Sequence, residues 1–486
     1  MKLADLLERC PAVLLEGDGR CEIRGITHDS RKVREGDVFA ALPGLNAHGL
    51  DFLDAAVGAG ASAVLSDADP EPGCELPWMR SAAPRRDMAA MAWALADDPQ
   101  DDLQLAGITG TNGKSTTAAL LGRLLDTGGR PAAVIGTLGA EFGGRPLAAT
   151  ERTTPESTDL ATILRSAKDA GAVAAVMEVS SHALMQDRVA GLGFQVGVWT
   201  NLTRDHLDYH LDMESYFAAK RRLFDHHLAP GGRRVLSVDD PWGAQLLDEP
   251  MEGDVSWGLD RGDVCARDVT SDLSGSTFEL RLPDASVRVE LPLVGIHNLR
   301  NALAAAAAAH ASGVAPEAIA SGLAASRPLT GRLEPVDTGL ESPVFVDYAH
   351  TPEGLRAVLQ SLRRITDRRL IVVFGAGGDR DRGKRGPMGF AVGQLADVAV
   401  VTSDNPRSEN PSVIAEAVAA GVKAAGKEPV IELDRRTAIG RAVKIANGRS
   451  LVLIAGKGHE STQTVGDSVI PFSDQQVILE ECGGAK

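Results

Sequence analysis

A glycine-rich stretch at residues 107–116 constrains the fold of this chain more than any other feature. It reads Gly-Ile-Thr-Gly-Thr-Asn-Gly-Lys-Ser-Thr, follows the apolar run 103–106, and precedes leucines at helical spacing in Ala118–Leu125. This order predicts a strand, a tight loop and a helix. Loop amides and a helix N-terminus together favour a bound phosphate. We therefore predict nucleotide binding, with Lys114 at the outer phosphates and the Ser115 hydroxyl on Mg²⁺.

The spacing of this loop departs from the strict P-loop pattern. The position five before Gly113 is Ile108, and the nearest earlier glycine is Gly110. A glycine-rich turn before a helix can also serve only to end a strand. The strand and helix predicted on either side favour the nucleotide-binding interpretation.

Length, charge and cysteine content limit the class of protein. A chain of 486 residues is too long for one ordinary core and suggests three domains. Its net charge of −16 argues against a nucleic-acid partner, which needs a basic surface. No apolar run reaches the roughly 18 residues that span a bilayer. The five scattered cysteines are expected to stay reduced, which predicts a cytoplasmic protein without membrane segments.

Strand and helix patterns alternate along the chain and predict an α/β protein with three domains. Residues 1–98 should form a small α/β domain, with a helix at Phe52–Gly58. Residues 99–329 should form a central P-loop domain around a doubly wound, mostly parallel sheet. Residues 330–486 repeat the alternation and should form a Rossmann-like domain. The acidic stretch Asp97–Asp102 is predicted to be a linker.

Polar residues follow two predicted strands of the central domain. Glu178 ends the apolar run that begins at Val173, and His206 follows the strand 196–203. Ligands collect beyond the carboxyl ends of parallel strands, so both side chains could share a crevice with Lys114. They are suited to hold a second Mg²⁺, although a buried glutamate can equally be a structural hydrogen-bond partner. Lys220 looks, from its pattern alone, like an exposed lysine on an amphipathic helix.

Four strands of the last region run into polar or glycine-rich segments. Because such ends meet at one edge of a parallel sheet, they predict a second ligand site. Gly375 and Gly377 alone are a weak sign of a dinucleotide fold, and Arg380 and Lys384 suit an anion better. The segments are Asp347–His350, Gly375–Arg380, Ser403–Arg407 and Gly456–Glu460.

Taken together, the motifs of this chain resemble those of the Mur ligases, the ATP-dependent amide-forming enzymes of peptidoglycan precursor synthesis. The resemblance runs from about Gly25 to Glu460, with the motifs in family order. The residues that carry it are Thr109–Ser115, Glu178–His182, Asn201–Asp208, Lys220, His297–Asn301, Gly331–Arg332, Asp347–His350 and Gly456–Glu460.

The resemblance implies a nucleotide site with ATP and two Mg²⁺ ions. Lys220 would be carbamylated to N6-carboxylysine, which turns a cation into an oxygen ligand for the second metal. Lys114 and His206 would act in phosphoryl transfer, and the metal contacts would be Ser115, Glu178, His206 and Lys220. The nucleotide contacts would be Gly110, Thr111, Asn112, Gly113, Lys114, Ser115, Thr116, Asn298, Asn301 and Arg332, with Asp347 also within reach.

Within the family, Thr153–Pro155, Gln186–Arg188 and Asp404–Arg407 resemble the members that add meso-diaminopimelate to UDP-N-acetylmuramoyl-L-alanyl-D-glutamate. The UDP end would lie at Ser30, Leu45, Asn46 and Ala47, and the muramoyl peptide at Thr153, Thr154, Ser180, Gln186 and Arg188. Arg152 stands where some relatives have asparagine and receives no role. Diaminopimelate would contact Arg380, Asp404, Asn405, Pro406, Arg407, Gly456 and Glu460.

Arg407 carries the argument for diaminopimelate over lysine. Diaminopimelate differs from lysine by a distal carboxylate, and a guanidinium pairs with a carboxylate through two parallel hydrogen bonds. Arg407, helped by Arg380, would compensate that charge, while Asp404, Gly456 and Glu460 could receive the ammonium end.

The implied reaction proceeds through an acyl phosphate. The γ-phosphate of ATP would move to the D-glutamate side-chain carboxylate, and the amine of diaminopimelate would then displace phosphate. The base that accepts the amine proton stays open between His350 and Asp347. We expect a monomer.

Three rival functions remain at this point. One is a lysine-adding enzyme of the same pathway, and another is a folylpolyglutamate-type ligase. The third is a P-loop switch that hydrolyses nucleotide without a small acceptor.

Overall fold

The computed structural model describes residues 1–10, 13–44, 47–150 and 152–483. These residues divide into two compact units, each described separately below. The first comprises Met1–Cys265, Leu282–Ala285 and Leu303–Ile319. The second comprises Ala266–Arg281, Ser286–Ala302 and the chain from Ala320 onward. The predicted α/β class is confirmed.

The first unit begins with a small sheet in the order β1-β5-β4-β3-β2. Strands β2 to β5 are parallel and β1 pairs antiparallel to β5. The strands are β1 (Leu14–Glu16), β2 (Gly25–Thr27), β3 (Asp37–Ala41), β4 (Ala63–Ser66) and β5 (Trp78–Arg80). The helices are α1 (Leu3–Leu7), α2 (Leu53–Gly58) and α3 (Pro84–Leu95), with short 3₁₀ turns at Ser30–Lys32 and Gly49–Phe52.

The acidic segment predicted to be a linker is held to neighbouring elements by ion pairs. Asp98 accepts from Arg9 at 2.8 Å, Asp97 pairs with Arg165, and Asp102 pairs with Lys168. A 3₁₀ turn covers Pro99–Asp101. The segment therefore connects α3 to the next strand along a defined path.

An eight-stranded sheet forms the centre of the first unit, in the order β13-β12-β11-β6-β10-β7-β8-β9. Its first six strands in this order are parallel, and β8 and β9 add an antiparallel edge, which confirms the predicted mostly parallel sheet. The strands are β6 (Gln104–Thr109), β7 (Ala132–Gly136), β8 (Gly139–Phe142), β9 (Arg145–Ala148), β10 (Ala174–Glu178), β11 (Phe194–Trp199), β12 (Leu228–Ser237) and β13 (Val255–Trp257).

Helices connect these strands and cover the sheet. Their apolar faces pack in one hydrophobic cluster that includes Leu65, Trp93, Leu105 and Leu164, so the small sheet and the central sheet share a core. The helices are α4 (Lys114–Thr127), α5 (Ser157–Asp169), α6 (Ser181–Met185), α7 (Leu207–His210), α8 (Met213–His226) and α9 (Pro241–Leu247).

A three-stranded sheet in the order β14-β15-β16 and two helices follow. The strands are β14 (Cys265–Asp272), β15 (Gly275–Arg281) and β16 (Ser286–Leu291), and the helices are α10 (Ile296–Ala311) and α11 (Pro316–Ala324). The alanine-rich run 302–309 lies in α10 and is fully buried, as expected for a tightly packed helix.

The second unit contains a six-stranded sheet in the order β17-β18-β22-β19-β20-β21. All of its pairs are parallel except β17 with β18. The strands are β17 (Glu334–Val336), β18 (Val344–Asp347), β19 (Arg369–Phe374), β20 (Val398–Val401), β21 (Val430–Ile431) and β22 (Ser450–Ala455).

Helices and a hairpin complete this unit. The helices are α12 (Pro352–Ile365), α13 (Arg385–Leu395), α14 (Pro411–Ala424), α15 (Arg435–Ile445) and α16 (Asp474–Gly483), and a 3₁₀ turn covers Arg382–Lys384. Strands β23 (Thr462–Val465) and β24 (Ser468–Pro471) form a two-stranded hairpin. None of the described helices combines the length and apolar character that a membrane span requires.

A fully buried ion pair joins α15 to α16. Arg435 donates to both carboxylate oxygens of Asp474, at 2.8 and 2.7 Å, and to the carbonyl of Ala455 at 3.0 Å. Both side chains are 0% exposed. Removing one partner of such a pair leaves an uncompensated buried charge.

We predict that Arg435→Met lowers the free energy of unfolding of this unit by roughly 3–5 kcal/mol, since Asp474 is left buried without its partner. The neighbouring Arg436→Met is the matched control, because Arg436 pairs with Glu480 at the surface and its loss should leave the midpoint unchanged. Urea unfolding followed by circular dichroism measures both. Equal effects of the two substitutions would contradict the assignment.

Candidate active site

The predicted strand, loop and helix are β6, Gly110–Gly113 and α4. Gly110 has φ +144° and Gly113 has φ +85°, conformations that favour glycine. A Cβ built on Gly110 would lie 1.9 Å from Thr200 Oγ1. No side chain fits there, so close packing requires glycine at this position.

Hydrogen bonds tie this loop to the segment that follows β11. Thr111 N donates to the Asn201 carbonyl at 2.9 Å, and Asn112 N donates to Asn201 Oδ1 at 3.0 Å. Thr203 N donates to Thr111 Oγ1 at 3.1 Å. Because β11 lies beside β6 in the sheet, the two strand ends are joined, and the loop is held before any ligand binds.

Two lysines meet at one backbone carbonyl in this loop. Lys114 Nζ donates to the carbonyls of Gly110 and Thr111, each at 2.9 Å. Lys220 Nζ, from α8, donates to the same Gly110 carbonyl at 2.9 Å and lies 4.6 Å from the Tyr216 ring centroid. Lys220 is 1% exposed, so the pattern-based interpretation of a surface lysine is wrong.

Burial and the nearby charge of Lys114 lower the pKa of Lys220 well below its usual value, against a weaker opposing effect of Asp205. The hydrogen bond of Lys220 Nζ goes to a neutral backbone carbonyl. Relative to an exposed lysine, the equilibrium is therefore shifted from the ammonium towards the neutral amine.

Glu178 lies at the carboxyl end of β10, on the other side of β6. Its Oε1 accepts from Thr137 N at 2.8 Å, and its backbone carbonyl accepts from Thr154 Oγ1 at 2.9 Å. Thr154 Oγ1 also accepts a hydrogen bond from Ser180 N at 3.0 Å, and Thr137 Oγ1 donates to Thr153 Oγ1 at 3.1 Å. The structure thus brings together four of the predicted residues at this edge of the sheet: Thr153, Thr154, Glu178 and Ser180.

His206 immediately precedes α7 as its N-cap residue and has φ +52°, a conformation uncommon outside glycine. Its ring packs edge to face with His182 at 5.0 Å, within a cluster of aromatic rings that includes Tyr209, His210 and Tyr216. Among the side chains that the structure describes, no three His, Cys, Asp or Glu groups are placed to hold a metal.

Arg188 and Arg152 belong to a cluster that sequence reasoning did not anticipate. Glu156 is 4% exposed, and its carboxylate pairs with Arg188 at 3.0 Å, with Arg85 at 3.3 Å and with Arg152. Arg188 also donates to the Thr154 carbonyl at 3.0 Å. Three guanidiniums around one carboxylate leave excess positive charge in a chain of net charge −16.

A cavity of about 810 Å³ lies beside this cluster. Ser30 and its neighbours line one side, and Arg152 and Glu156 line the other. Of the predicted uridine contacts, Ser30 faces this cavity, Ala47 is exposed, and Leu45 and Asn46 lie outside the described residues. Gln186 accepts from Arg188 at 2.5 Å nearby.

In the second unit, Asp347 ends β18 and accepts from two backbone amides, Leu333 N at 2.7 Å and Ala349 N at 2.8 Å. Burial raises the pKa of Asp347, and the charge of Arg332 opposes the rise. His350 Nδ1 lies 2.8 Å from the Tyr348 carbonyl and must donate to it, which makes Nε2 the acceptor in the neutral ring.

Asn298 and Asn301 are buried on α10. Asn298 Nδ2 donates to the Val294 carbonyl at 2.9 Å, and Asn301 Nδ2 lies 3.4 Å from Asn298 Oδ1. Arg332 packs over the Tyr348 ring, with the guanidinium carbon 4.7 Å from the centroid.

The segment Asp404–Arg407 follows β20 and packs on the loop after β19. Arg407 has φ +50°, and its Nη1 donates to the Gly378 carbonyl at 2.7 Å. Its backbone N donates to the Thr464 carbonyl at 3.1 Å. Asn405 Nδ2 donates to Glu460 Oε2 at 2.9 Å, which joins two of the predicted polar segments. The buried Lys457 beside them was not singled out from the sequence.

A strand, a glycine loop with a lysine, and a helix at the carboxyl edge of a parallel sheet define the P-loop class of proteins. Three domain models of one family match the chain. They are the Mur ligase family catalytic domain at residues 22–95, the Mur ligase middle domain at 108–309, and the Mur ligase glutamate ligase domain at 331–458. The chain belongs to the Mur ligase family.

Full-length relatives agree with this assignment. The UDP-N-acetylmuramoyl-L-alanyl-D-glutamate–2,6-diaminopimelate ligase of Solibacter usitatus is 41% identical, over 100% of this chain and 99% of its own. The ligase of the same name from Streptomyces avermitilis is 42% identical, over 98% and 96%. A solved structure of a ligase with that name matches with a TM-score of 0.70 and 31% identity, over 100% and 99%.

We predict that Gly110→Ala weakens binding of a fluorescent ATP analogue about 100-fold. The added methyl displaces the loop from Thr200, and each lost loop hydrogen bond to a phosphate costs about 1 to 3 kcal/mol. Gly129→Ala is the control, because Gly129 also has positive φ but a Cβ there meets nothing within 4 Å. Unchanged affinity in Gly110→Ala would contradict the close-packing argument.

Proposed function

We propose that the chain is an ATP-dependent ligase that joins meso-diaminopimelate to the D-glutamate side-chain carboxylate of UDP-N-acetylmuramoyl-L-alanyl-D-glutamate. The observation that carries the proposal is that a chain about 40% identical over full length to ligases of that name contains both the glycine loop with Lys114 and the Asp404–Arg407 segment. This reaction uses metabolites of the cytoplasm, where we place the protein.

ATP is the substrate that activates the carboxylate. A carboxylate is a poor acyl donor, so transfer of the γ-phosphate to it creates a leaving group. The loop amides and Lys114 would hold the triphosphate, as positioning and charge neutralisation dominate phosphoryl transfer. The residues proposed for the phosphates are Gly110, Thr111, Asn112, Gly113, Lys114, Ser115 and Thr116. Asn298, Asn301 and Arg332 stay proposed contacts to the rest of the nucleotide.

Mg²⁺ suits the donors on this side of the sheet. It commonly binds through one or two protein oxygens together with phosphates and water, so a cage of three protein ligands is not required. Ser115 would hold one Mg²⁺, and Glu178, His206 and a carbamylated Lys220 would hold a second, directly or through water. When bound, the metal would neutralise charge on the transferring phosphate.

Lys220 is proposed to carry the carbamate. Its lone pair attacks CO₂, one amine proton is released, and the product is a carboxylate-like group. Burial beside Lys114 supports this step, because a lowered pKa provides the neutral amine that it requires. The new negative charge would also be compensated by Lys114.

The UDP-muramoyl peptide is assigned to the cavity and the residues around it. The excess positive charge of the Glu156 cluster suits a substrate that carries a diphosphate and two carboxylates. Ser30 would face the UDP end, with Leu45, Asn46 and Ala47 retained as uridine contacts. The peptide contacts proposed are Thr153, Thr154, Ser180, Gln186 and Arg188.

Diaminopimelate is assigned to the site formed by the segments that follow β20 and β22. Arg407 and Arg380 would pair with its distal carboxylate, and Asp404 and Glu460 with its distal ammonium. Asn405, Pro406 and Gly456 would shape the site. Arg407 already donates Nη1 to a carbonyl, so its orientation is set before the substrate binds.

His350 is the better candidate for the base that accepts the amine proton. Its Nδ1 donates to the Tyr348 carbonyl, which directs the lone pair of the neutral ring to Nε2. Both Asp347 oxygens are occupied by backbone amides. These two hydrogen bonds tie the Asp347 carboxylate to the surrounding turn, so we assign it to holding the turn in place.

We predict phosphate release that requires ATP, Mg²⁺, the UDP-muramoyl dipeptide and meso-diaminopimelate together. Arg407→Ala should raise KM for diaminopimelate about 100-fold, the cost of a lost charge-assisted pair, and should affect L-lysine little. Arg436→Met is the control. Equal release without any amino acid would contradict the ligase and favour a switch, whereas a preference for lysine would favour the lysine-adding reaction.

We predict that Lys220 carries one CO₂ adduct. Protein equilibrated with ¹³C-bicarbonate should show a carbamate carbon resonance that is absent from Lys220→Met, and the variant should lose activity. Lys168→Met, at the surface, is the control and should retain both. A wild-type protein without this resonance but with full activity would contradict the assignment.

A further inference from the structure

Lys457 is a buried lysine that the proposed reaction does not yet use. It lies after β22 and is 0% exposed. A buried ammonium requires compensation for each of its protons. Its Nζ donates to Asn405 Oδ1 at 3.0 Å, to Glu460 Oε2 at 3.2 Å and to the Thr462 carbonyl at 2.6 Å. The three protons of the ammonium therefore have three acceptors.

These contacts determine which way the Asn405 amide points. Asn405 Oδ1 accepts from Lys457 and from Thr464 N, at 3.0 Å each. Neither group can accept a hydrogen bond in return, so the oxygen must face them. The amide nitrogen is thereby directed to Glu460 Oε2, at 2.9 Å.

The same arrangement leaves one carboxylate oxygen of Glu460 available. Glu460 Oε2 accepts hydrogen bonds from Lys457 Nζ and Asn405 Nδ2, while no described residue donates to Oε1. Asp404 Oδ1 is buried without a hydrogen-bond donor in the described ranges and lies 3.7 Å from Lys457 Nζ. Glu460 Oε1 and Asp404 Oδ1 are therefore the two acceptor atoms that a substrate ammonium could use here.

Lys457 also donates to the β-hairpin whose backbone is hydrogen-bonded to Arg407. Thr462 belongs to β23, and the Thr464 carbonyl on the same strand accepts from Arg407 N at 3.1 Å. Gly466 N, in the turn of the hairpin, donates to the Arg407 carbonyl at 2.8 Å. A change at Lys457 can therefore act at both ends of the acceptor amino acid.

We propose that Lys457 is a positioning residue for the acceptor amino acid. It orients the Asn405 amide and the Glu460 carboxylate, and it fixes the hairpin that supports Arg407. The role rests on the proposed function, since it concerns the site assigned to diaminopimelate. Lys457 does not contact the substrate itself.

Steady-state kinetics of Lys457→Met test this role. Methionine keeps the length of the side chain and removes all three donors. KM for meso-diaminopimelate should rise about tenfold or more, and the preference for diaminopimelate over L-lysine in kcat/KM should fall by a similar factor. KM for ATP and for the UDP-muramoyl dipeptide should stay within about twofold, because their sites are formed by other residues.

Two further variants separate positioning from folding. Lys427→Met removes a lysine that donates to the Ala396 carbonyl in the same unit and should leave all three KM values unchanged. Lys457→Arg keeps the charge, but a planar guanidinium cannot replace three tetrahedral donors, so the selectivity should still fall. This variant decides the question if Lys457→Met does not fold.

Unchanged KM and selectivity in folded Lys457→Met or Lys457→Arg overturn the positioning role, even if the melting temperature falls. That outcome is distinct from failure of the proposed function. In the latter case the wild-type protein itself would release phosphate without dependence on diaminopimelate.

Discussion

The absence of a side chain at Gly110 is the constraint on which the site depends. It allows the phosphate loop to pack against Thr200 and to share hydrogen bonds with Asn201 and Thr203. The Gly110 carbonyl also accepts hydrogen bonds from two lysines, Lys114 at the start of α4 and Lys220 in α8. The loop conformation is thus fixed by contacts within the protein, as a pre-organised phosphate site requires.

Electrostatics explains how an acidic chain can act on anionic substrates. Positive charge is concentrated at two places in the first unit, Lys114 beside the glycine loop and the arginines around Glu156. In the second unit it is held by buried residues such as Lys457 and Arg435, each compensated by carboxylates. Local pairing of this kind gives selectivity for particular charges while the surface stays negative.

The sequence predicts local structure well because strands, loops and helices depend on neighbouring residues. The order of apolar and glycine residues was sufficient for β6, its loop and α4, and polar residues after strands pointed to both sites. Burial of Lys220 depends instead on a carbonyl 110 positions away, and its helical pattern suggested the surface. Lys457 and Asn405 are separated by 52 positions, and Arg85 and Glu156 by 71. No local pattern reports such contacts. Family resemblance supplied the role proposed for Lys220, but gave none for Arg152 or Lys457.

The measurement that tests the account most directly follows the oxygen atoms of the D-glutamate side-chain carboxylate. With this carboxylate labelled by ¹⁸O, one oxygen attacks the γ-phosphorus, and the later attack of the amine expels phosphate that carries this oxygen. The account predicts one ¹⁸O in each phosphate released, with the other retained in the new amide. Unlabelled phosphate formed together with the amide would contradict activation of the carboxylate by ATP.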